Sequence, residues 1–568
     1  MKKLMVLVGC SLLGLAGAQA MAKAAPHHDD KPKAEQGKSD QDDSAPDSNP
    51  DALFQPTSSE SDGTVTVEGS RIDYKAIAGT LVVHPQDWDD AAWRTKAHSG
   101  GDDSKSDDQP DPEAAMFYAA YFKKGAPSAD RPITFVFNGG PGSSSVWLHI
   151  GAFGPRRVLT RDDSHTPAAP YQLVNNDYSL LDATDLVFVD APGTGFGRIA
   201  GKDKDKAFYG VDADGHAFSS FIRQFFSKYD RWNSPKFLFG ESYGTPRSAV
   251  VANDLETGND TDINGVILLS QILNFGLSAD NPSANPGSDE AYVDALPTYA
   301  ATAWYHNRLP GTRPANLQEY LKQVEHFATT DYLLALQQGA ELSPADKQRV
   351  AEQMSQYIGI PASYIVKADL RLEGGQFTKE LLADQGLLTG RFDTRFTGPA
   401  LDPLSKEAEY DPQSAAISSA YVSAFNDYVR RDMHYGQGQV YKPEMNIDDW
   451  DFSHQQPGQG GAPSGATTNV MPDLATAMKY NPQLKVMLNG GYFDLATPFY
   501  EGWYEMHHLP IPASLQNNIE YKYYESGHMV YAHEASLKQL HDNVAAFIAK
   551  TDAMSVPAAG SSGTRTKG

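Results

Sequence analysis

The sequence predicts an α/β protein with a mostly parallel central sheet flanked by helices. Two observations carry that class. First, four short runs are continuously apolar and rich in β-branched and aromatic residues: ITFVF (Ile133–Phe137), DLVFVD (Asp185–Asp190), KFLFG (Lys236–Gly240) and GVILLS (Gly265–Ser270). Such runs suit strands covered on both faces, as in parallel sheets. Second, helix-like stretches such as DGHAFSSFIRQFFSKY, Asp214–Tyr229, lie between some of them, and strand alternating with helix is the pattern of crossover connections.

Taken in order, the chain opens with MKKLMVLVGCSLLGLAGAQAMA. Lys2 and Lys3 precede the apolar stretch Leu4–Gly17, and Ala18-Gln19-Ala20 offers small residues for cleavage. Residues 1–20 read as a bacterial-type secretory signal, too short to span a membrane. The expected location is periplasmic or secreted, with no integral membrane segment once the signal is removed near Ala20. Cys10, the only cysteine, ends Leu7-Val8-Gly9-Cys10, which mimics a lipoprotein box. The apolar run before it is very short and continues past it to Leu15, which argues against lipidation. Export without disulfides leaves core burial to hold the fold.

Residues 21–63 are rich in Asp, Ser, Pro, Lys and Gln and poor in apolar side chains, so they read as a disordered tail. The first part of the α/β core is expected over 64–275, where strand texture begins with TVTV, YKAIAGTLVV and, after the acidic loop Ser99–Asp111, MFYAAYF. From 276 to 470 the texture turns helical: AYVDALPTYAATAWYHNRL, LQEYLKQVEHFATTDYLLALQQ, ADKQRVAEQMSQYI and ISSAYVSAFNDYVRRDM carry 3.6-residue periodicity. HQQPGQGGAPSG (His454–Gly465) closes this insertion. The core resumes over 471–550 with KVMLNG, IEYKYYE and the amphipathic ASLKQLHDNVAAFIAK, and 551–568 reads as a flexible tail. A net charge of −25 over 568 residues repels phosphate backbones and excludes nucleic acid as a partner.

Chemistry concentrates at Gly240-Glu241-Ser242-Tyr243-Gly244, between the strand KFLFG and the helix-like SAVVANDLE. That context makes it a nucleophile elbow: a sharp strand-to-helix turn exposes the Ser242 hydroxyl, and flanking side chains would clash. A serine needs a base, and behind such an elbow the partners follow in the order acid, then histidine. Asp494, in VMLNGGYFDLATP, and His528, in YKYYESGHMVY, each lie just past an apolar strand. The other histidines fit less well. His27 and His28 lie in the tail, His507 and His508 in a helix-like stretch, and His149 precedes the serine. Acyl transfer also needs two N–H donors for the oxyanion. Tyr243 supplies one, and the bare loop Asn138-Gly139-Gly140-Pro141-Gly142 after ITFVF supplies the other. No HExxH or cysteine-bearing zinc pattern occurs. Asp260-Thr-Asp262-Ile-Asn264-Gly265 resembles the start of a calcium loop but has Gln271 at position twelve and runs into GVILLS. Neither a metal nor another cofactor is expected.

Five motifs in order, NGGPGSSS (Asn138–Ser145), FVDAPGTGFG (Phe188–Gly197), GESYG, GYFDLATP (Gly491–Pro498) and SGHM (Ser526–Met529), resemble the serine carboxypeptidase family, exopeptidases of the α/β-hydrolase fold. The texture is nearest to the bacterial secreted members, and the likeness runs from about Gly79 to Lys550. It implies an α/β-hydrolase with a helical cap, acting on peptide or protein C-termini. Ser242 would be the nucleophile, Asp494 the acid and His528 the base, with the N–H groups of Gly140 and Tyr243 as the oxyanion hole. Asn138, Gly139 and Glu241 would hold the substrate's terminal carboxylate, and Met529 would lie near the leaving residue. Two facing carboxyl groups must share a proton, so binding would strengthen as pH falls. The chain departs from the eukaryotic-type pattern at Val136 (Trp there), Ser143 (Cys) and Ala152 (Glu). Two further readings stand beside this one: an esterase or acyltransferase with the same triad, and a non-catalytic binding protein on a hydrolase scaffold.

Overall fold

The computed structural model describes residues 53–88, 110–127, 131–280, 282–460 and 467–555. The expected signal segment, most of the expected N-terminal tail, most of the acidic loop and the chain beyond 555 lie outside them. The strands are β1 (Ser58–Val67), β2 (Ser70–Val83), β3 (Glu113–Lys123), β4 (Ile133–Phe137), β5 (Arg156–Val158), β6 (Leu173–Asn175), β7 (Asp185–Val189), β8 (Arg198–Ala200), β9 (Lys236–Glu241), β10 (Gly265–Leu269), β11 (Leu387–Thr389), β12 (Thr397–Pro399), β13 (Lys485–Gly491) and β14 (Ile519–Tyr524). The longer helices are α1 (Val211–Tyr229), α2 (Gly244–Asn253), α3 (Glu290–Tyr305), α4 (Leu317–Phe327), α5 (Pro344–Ile358), α6 (Pro412–Arg431), α7 (Met471–Tyr480), α8 (Phe499–His507) and α9 (Glu534–Ser555).

The main sheet runs β1-β2-β3-β7-β4-β9-β10-β13-β14, with β8 on β3. From β7 to β14 every neighbouring pair is parallel, and β1 to β3 add an antiparallel edge. This is the expected α/β-hydrolase arrangement. The continuous apolar runs have a direct cause. Val136, Phe237 and Phe239 point into one core, with α6 and α9. Their neighbours Phe135, Phe137 and Leu238 point into the other, with α1, α2 and α7. Both faces are covered, so alternation in hydropathy disappears.

Two boundaries differ from the sequence reading. β1 starts at Ser58, inside the expected tail, because Ser58–Gly63 pair antiparallel with Tyr74–Gly79 of β2. The ladder supplies the backbone partners that the polar side chains could not signal. At the other end α9 runs to Ser555, five residues into the expected tail. Among the described residues no helix is long and apolar enough to cross a membrane.

The helical insertion packs in two ways. Helices α3, α4 and α5 build a separate apolar cluster that takes in Phe493 and Leu495, just past β13, and Phe499, the first residue of α8. Helix α6 instead lays Ile417, Tyr421 and Phe425 onto the core face shared with Val136 and Tyr531. A strap following it crosses the Gly-rich loop: the Ser144 N–H donates to the Pro443 carbonyl, and the Met445 N–H to the Gly142 carbonyl.

Candidate active site

Strand β9 ends at Glu241 and α2 begins at Gly244, so Ser242 and Tyr243 make a two-residue turn, with Ser242 at φ +59°. A non-glycine residue held at positive φ is costly and clusters at functional sites. The turn is tied down on both sides: the Ser242 N–H donates to the Leu269 carbonyl (3.0 Å), and the Thr245 N–H to the Ser242 carbonyl (2.8 Å). The flanking glycines are sterically required. A Cβ on Gly240 would sit 2.0 Å from the Gly244 carbonyl oxygen, and one on Gly244 would sit 2.8 Å from that of Phe137. From Phe237 to Ala252 every residue is buried except Ser242.

Past β13, Asp494 is fully buried. One carboxylate oxygen accepts the N–H groups of Ala496 (2.9 Å) and Thr497 (3.0 Å). The other accepts the Thr497 hydroxyl (2.8 Å) and the Nδ1–H of His528 (2.8 Å). That bond fixes the His528 tautomer, leaving Nε2 as the basic nitrogen. Burial opposes charge on His528, but Asp494 and then Glu241 outweigh it and raise its pKa. The His528 backbone is gripped as well: its N–H donates to the Phe392 carbonyl (2.6 Å), and its carbonyl accepts the Ser270 hydroxyl (2.7 Å). Asp494 and His528 are thus brought together by a direct bond. Ser242 Oγ is not hydrogen-bonded to His528 among the described residues; catalytic contacts of this kind are often long until substrate is bound.

The Gly-rich loop lies against the elbow. A Cβ on Gly139 would fall 2.2 Å from the Tyr243 nitrogen, so only glycine permits this approach. Gly140 is exposed, with φ +106°. The described hydrogen bonds leave the N–H groups of Gly139, Gly140 and Tyr243 unused. The loop is also held from below. Buried Arg247 donates to the Asn138 carbonyl (2.6 Å) and pairs with Asp214 (2.6 Å).

Asn138 and Glu241 meet directly: the Asn138 amide donates to Glu241 Oε2 at 2.9 Å, and its own oxygen accepts the Leu148 N–H. Tyr531 donates its hydroxyl to the same Oε2 at 2.8 Å. Burial pushes the Glu241 carboxyl up to about 7, against the pull of His528 and the two hydrogen bonds. Met529 is half-buried at the edge of the same core. No metal-binding group of three or more His, Cys, Asp or Glu exists among the described residues.

Sequence reasoning missed several supporting residues. Tyr531 lies three residues past His528, but nothing local marks it as a partner of Glu241. Thr497 was within the quoted motif and could have been found from its place three residues after Asp494. The segment Arg391–Phe396 carried no signal at all. It bonds to the loops of both Asp494 and His528: the Leu495 N–H donates to the Arg391 carbonyl and the Thr394 N–H to the Phe493 carbonyl, while Asp393 accepts the Gly527 N–H. Asp393 is itself paired with buried Arg395.

The profile of the serine carboxypeptidase family matches residues 106–543. A carboxypeptidase Y homolog from Arthroderma benhamiae is 30% identical over 188 residues, 33% of this chain and 33% of that protein. The pheromone-processing carboxypeptidase KEX1 of Saccharomyces cerevisiae is 30% identical over 139 residues, 23% of this chain and 18% of that one. The matched stretch thus spans a third or less of these curated relatives. Among solved structures, a proline iminopeptidase from Mycobacterium smegmatis aligns over 87% of this chain and 100% of its own, at 10% identity and a TM-score of 0.30.

Proposed function

Because the chain belongs to the serine carboxypeptidase family, we propose that it is an exported exopeptidase that hydrolyses C-terminal peptide bonds through an acyl-enzyme. In this mechanism Ser242 Oγ attacks the scissile carbonyl while His528 Nε2 takes its proton. Asp494 holds the imidazole and stabilises its charged form. The N–H groups of Gly140 and Tyr243 receive the oxyanion. His528 then protonates the departing amine, and water repeats the sequence to release the acyl group.

One observation carries the exopeptidase reading over a general hydrolase: the buried Asn138–Glu241 pair beside the nucleophile. Asn138 and Gly139 offer neutral donors to a terminal carboxylate. Glu241 joins them only when protonated, since two carboxylates would repel. With Glu241 raised to about 7, carboxylate binding is strong below that pH and fades above it. His528 must be neutral to act as base, so activity is lost at low pH. The two groups interact, and their titrations belong to the pair.

Mass spectrometry of products from a mixed peptide library tests the reading, with residues expected to leave singly from free C-termini. A matched free acid, amide and ester separate the classes. Equal rates on acid and amide would overturn the exopeptidase assignment in favour of an esterase or acyltransferase. Failure of wild type to react with a fluorophosphonate would favour a binding protein. Export is supported by the N-terminal sequence alone; fractionation of a bacterial host should recover a chain beginning at Met21.

A further inference from the structure

We propose that Tyr531 is a positioning residue for carboxylate recognition, fixing which oxygen of Glu241 carries the proton that meets the substrate. The inference rests on the exopeptidase reading above. Its starting point is the set of side chains around Glu241. The Asn138 amide and the Tyr531 hydroxyl both donate to Oε2, and Oε1 has no partner among the described residues. The donation by Leu148 to Asn138 Oδ1 fixes the amide so that its N–H₂ faces Glu241. Tyr531 has no other described acceptor. An oxygen that already accepts two hydrogen bonds is the poorer place for a proton, so neutral Glu241 carries its O–H on Oε1. That is the free oxygen, able to donate to an incoming carboxylate.

Space for the phenol comes from Gly151. A Cβ there would lie 2.9 Å from the Tyr531 ring and 2.5 Å from that of Tyr421. The next residue, Ala152, is fully buried and brings no charge. The titratable groups facing Glu241 are His528, Asp494 and Tyr531, with Tyr421 from α6. Tyr531 is 3% exposed, and burial keeps its phenol protonated. It is therefore a permanent donor, and its bond favours the ionised form of Glu241.

The test compares wild type with Tyr531→Phe, counting active sites with a fluorophosphonate. KM and kcat are measured from pH 4 to 9 (a range of about five units) on one peptide as free acid and as amide. Tyr531→Phe should raise KM for the acid about fivefold to tenfold, the usual cost of losing one hydrogen bond between neutral groups. The acid kcat should stay within about twofold and the amide should be unaffected, since the bond serves ground-state binding. The pH above which KM climbs should move upward. A merely structural role would lower kcat on both substrates alike and leave that pH in place, which overturns the proposal. So does an unchanged acid-to-amide ratio in the variant when wild type prefers the acid. If wild type shows no preference, the exopeptidase reading fails and takes this inference with it.

Discussion

Gly139 presses against the Tyr243 nitrogen, so close that even a methyl group on it would sit 2.2 Å away. The Gly-rich loop and the turn at Ser242 therefore share one surface, and each sets the position of the other's N–H groups. Gly139→Ala should push Gly140 and Tyr243 apart. Loss of oxyanion contact is expected to lower kcat by about 10²–10³, with cooperative melting retained. Steady-state kinetics beside a thermal melt check both.

Ser242→Ala should lower kcat by about 10⁶ and abolish fluorophosphonate labelling, and Asp494→Asn should lower it by about 10⁴ through loss of the correct histidine tautomer. Thr497→Val removes one donor from the oxygen that also binds His528. A smaller loss of about tenfold is expected, consistent with one hydrogen bond. Active-site titration and single-turnover rates distinguish the three.

Glu241→Gln tests the protonation argument. A glutamine donates at every pH, so KM for a free-acid peptide should stay flat through the point near 7 where wild type weakens. The acid limb of kcat/KM, set by His528 losing its proton, should remain. A variant whose KM climbs in parallel with wild type would show that another group governs binding.

His454 links the strap to the core through Asp212 (2.5 Å) and Asp473 (2.8 Å). Burial opposes its charge, yet the two carboxylates prevail and push it up to about 9. Its folded pKa lies above the unfolded value of about 6.5, so the contribution is full below that and lost as pH rises through about 9. Asp473 is raised as well, by burial, so the window is read from His454. Melts across this range should show Tm falling in wild type and a flatter profile in His454→Gln.

Asp393→Ala leaves Arg395 unpaired in a buried site and should cost about 3–5 kcal/mol. It also frees the Gly527 N–H, so kcat should fall with the loop's precision. Chemical denaturation and kinetics on the folded fraction separate the two effects.

Much of this site was legible because its parts are local. A strand, a glycine-flanked serine and a helix follow one another directly from Lys236 to Asn253, and sterics alone explain the glycines. Asp494 and His528 follow from strand ends and chain order. Tyr531 was not legible, because its bond to Glu241 joins residues 290 apart in sequence, and no periodicity encodes such a meeting. Ser58–Gly63 was misread for a related reason: a polar edge strand is specified by its partner β2, not by its own hydropathy. The single cap expected over 276–470 hid two different packings, since helical periodicity shows that a face is buried without saying against what.

The segment Arg391–Phe396 belongs by sequence to the insertion and by bonding to the loops that carry Asp494 and His528. Cutting at the helical boundaries, to shorten this chain to a minimal core or to fit a foreign cap, would sever those bonds. Such a graft would remove the peptide whose backbone and Asp393 side chain bond to the loops of both Asp494 and His528. A recombinant chimera that keeps the Asp494 and His528 loops would need to carry this short piece along with them, a partner inherited from elsewhere in the chain.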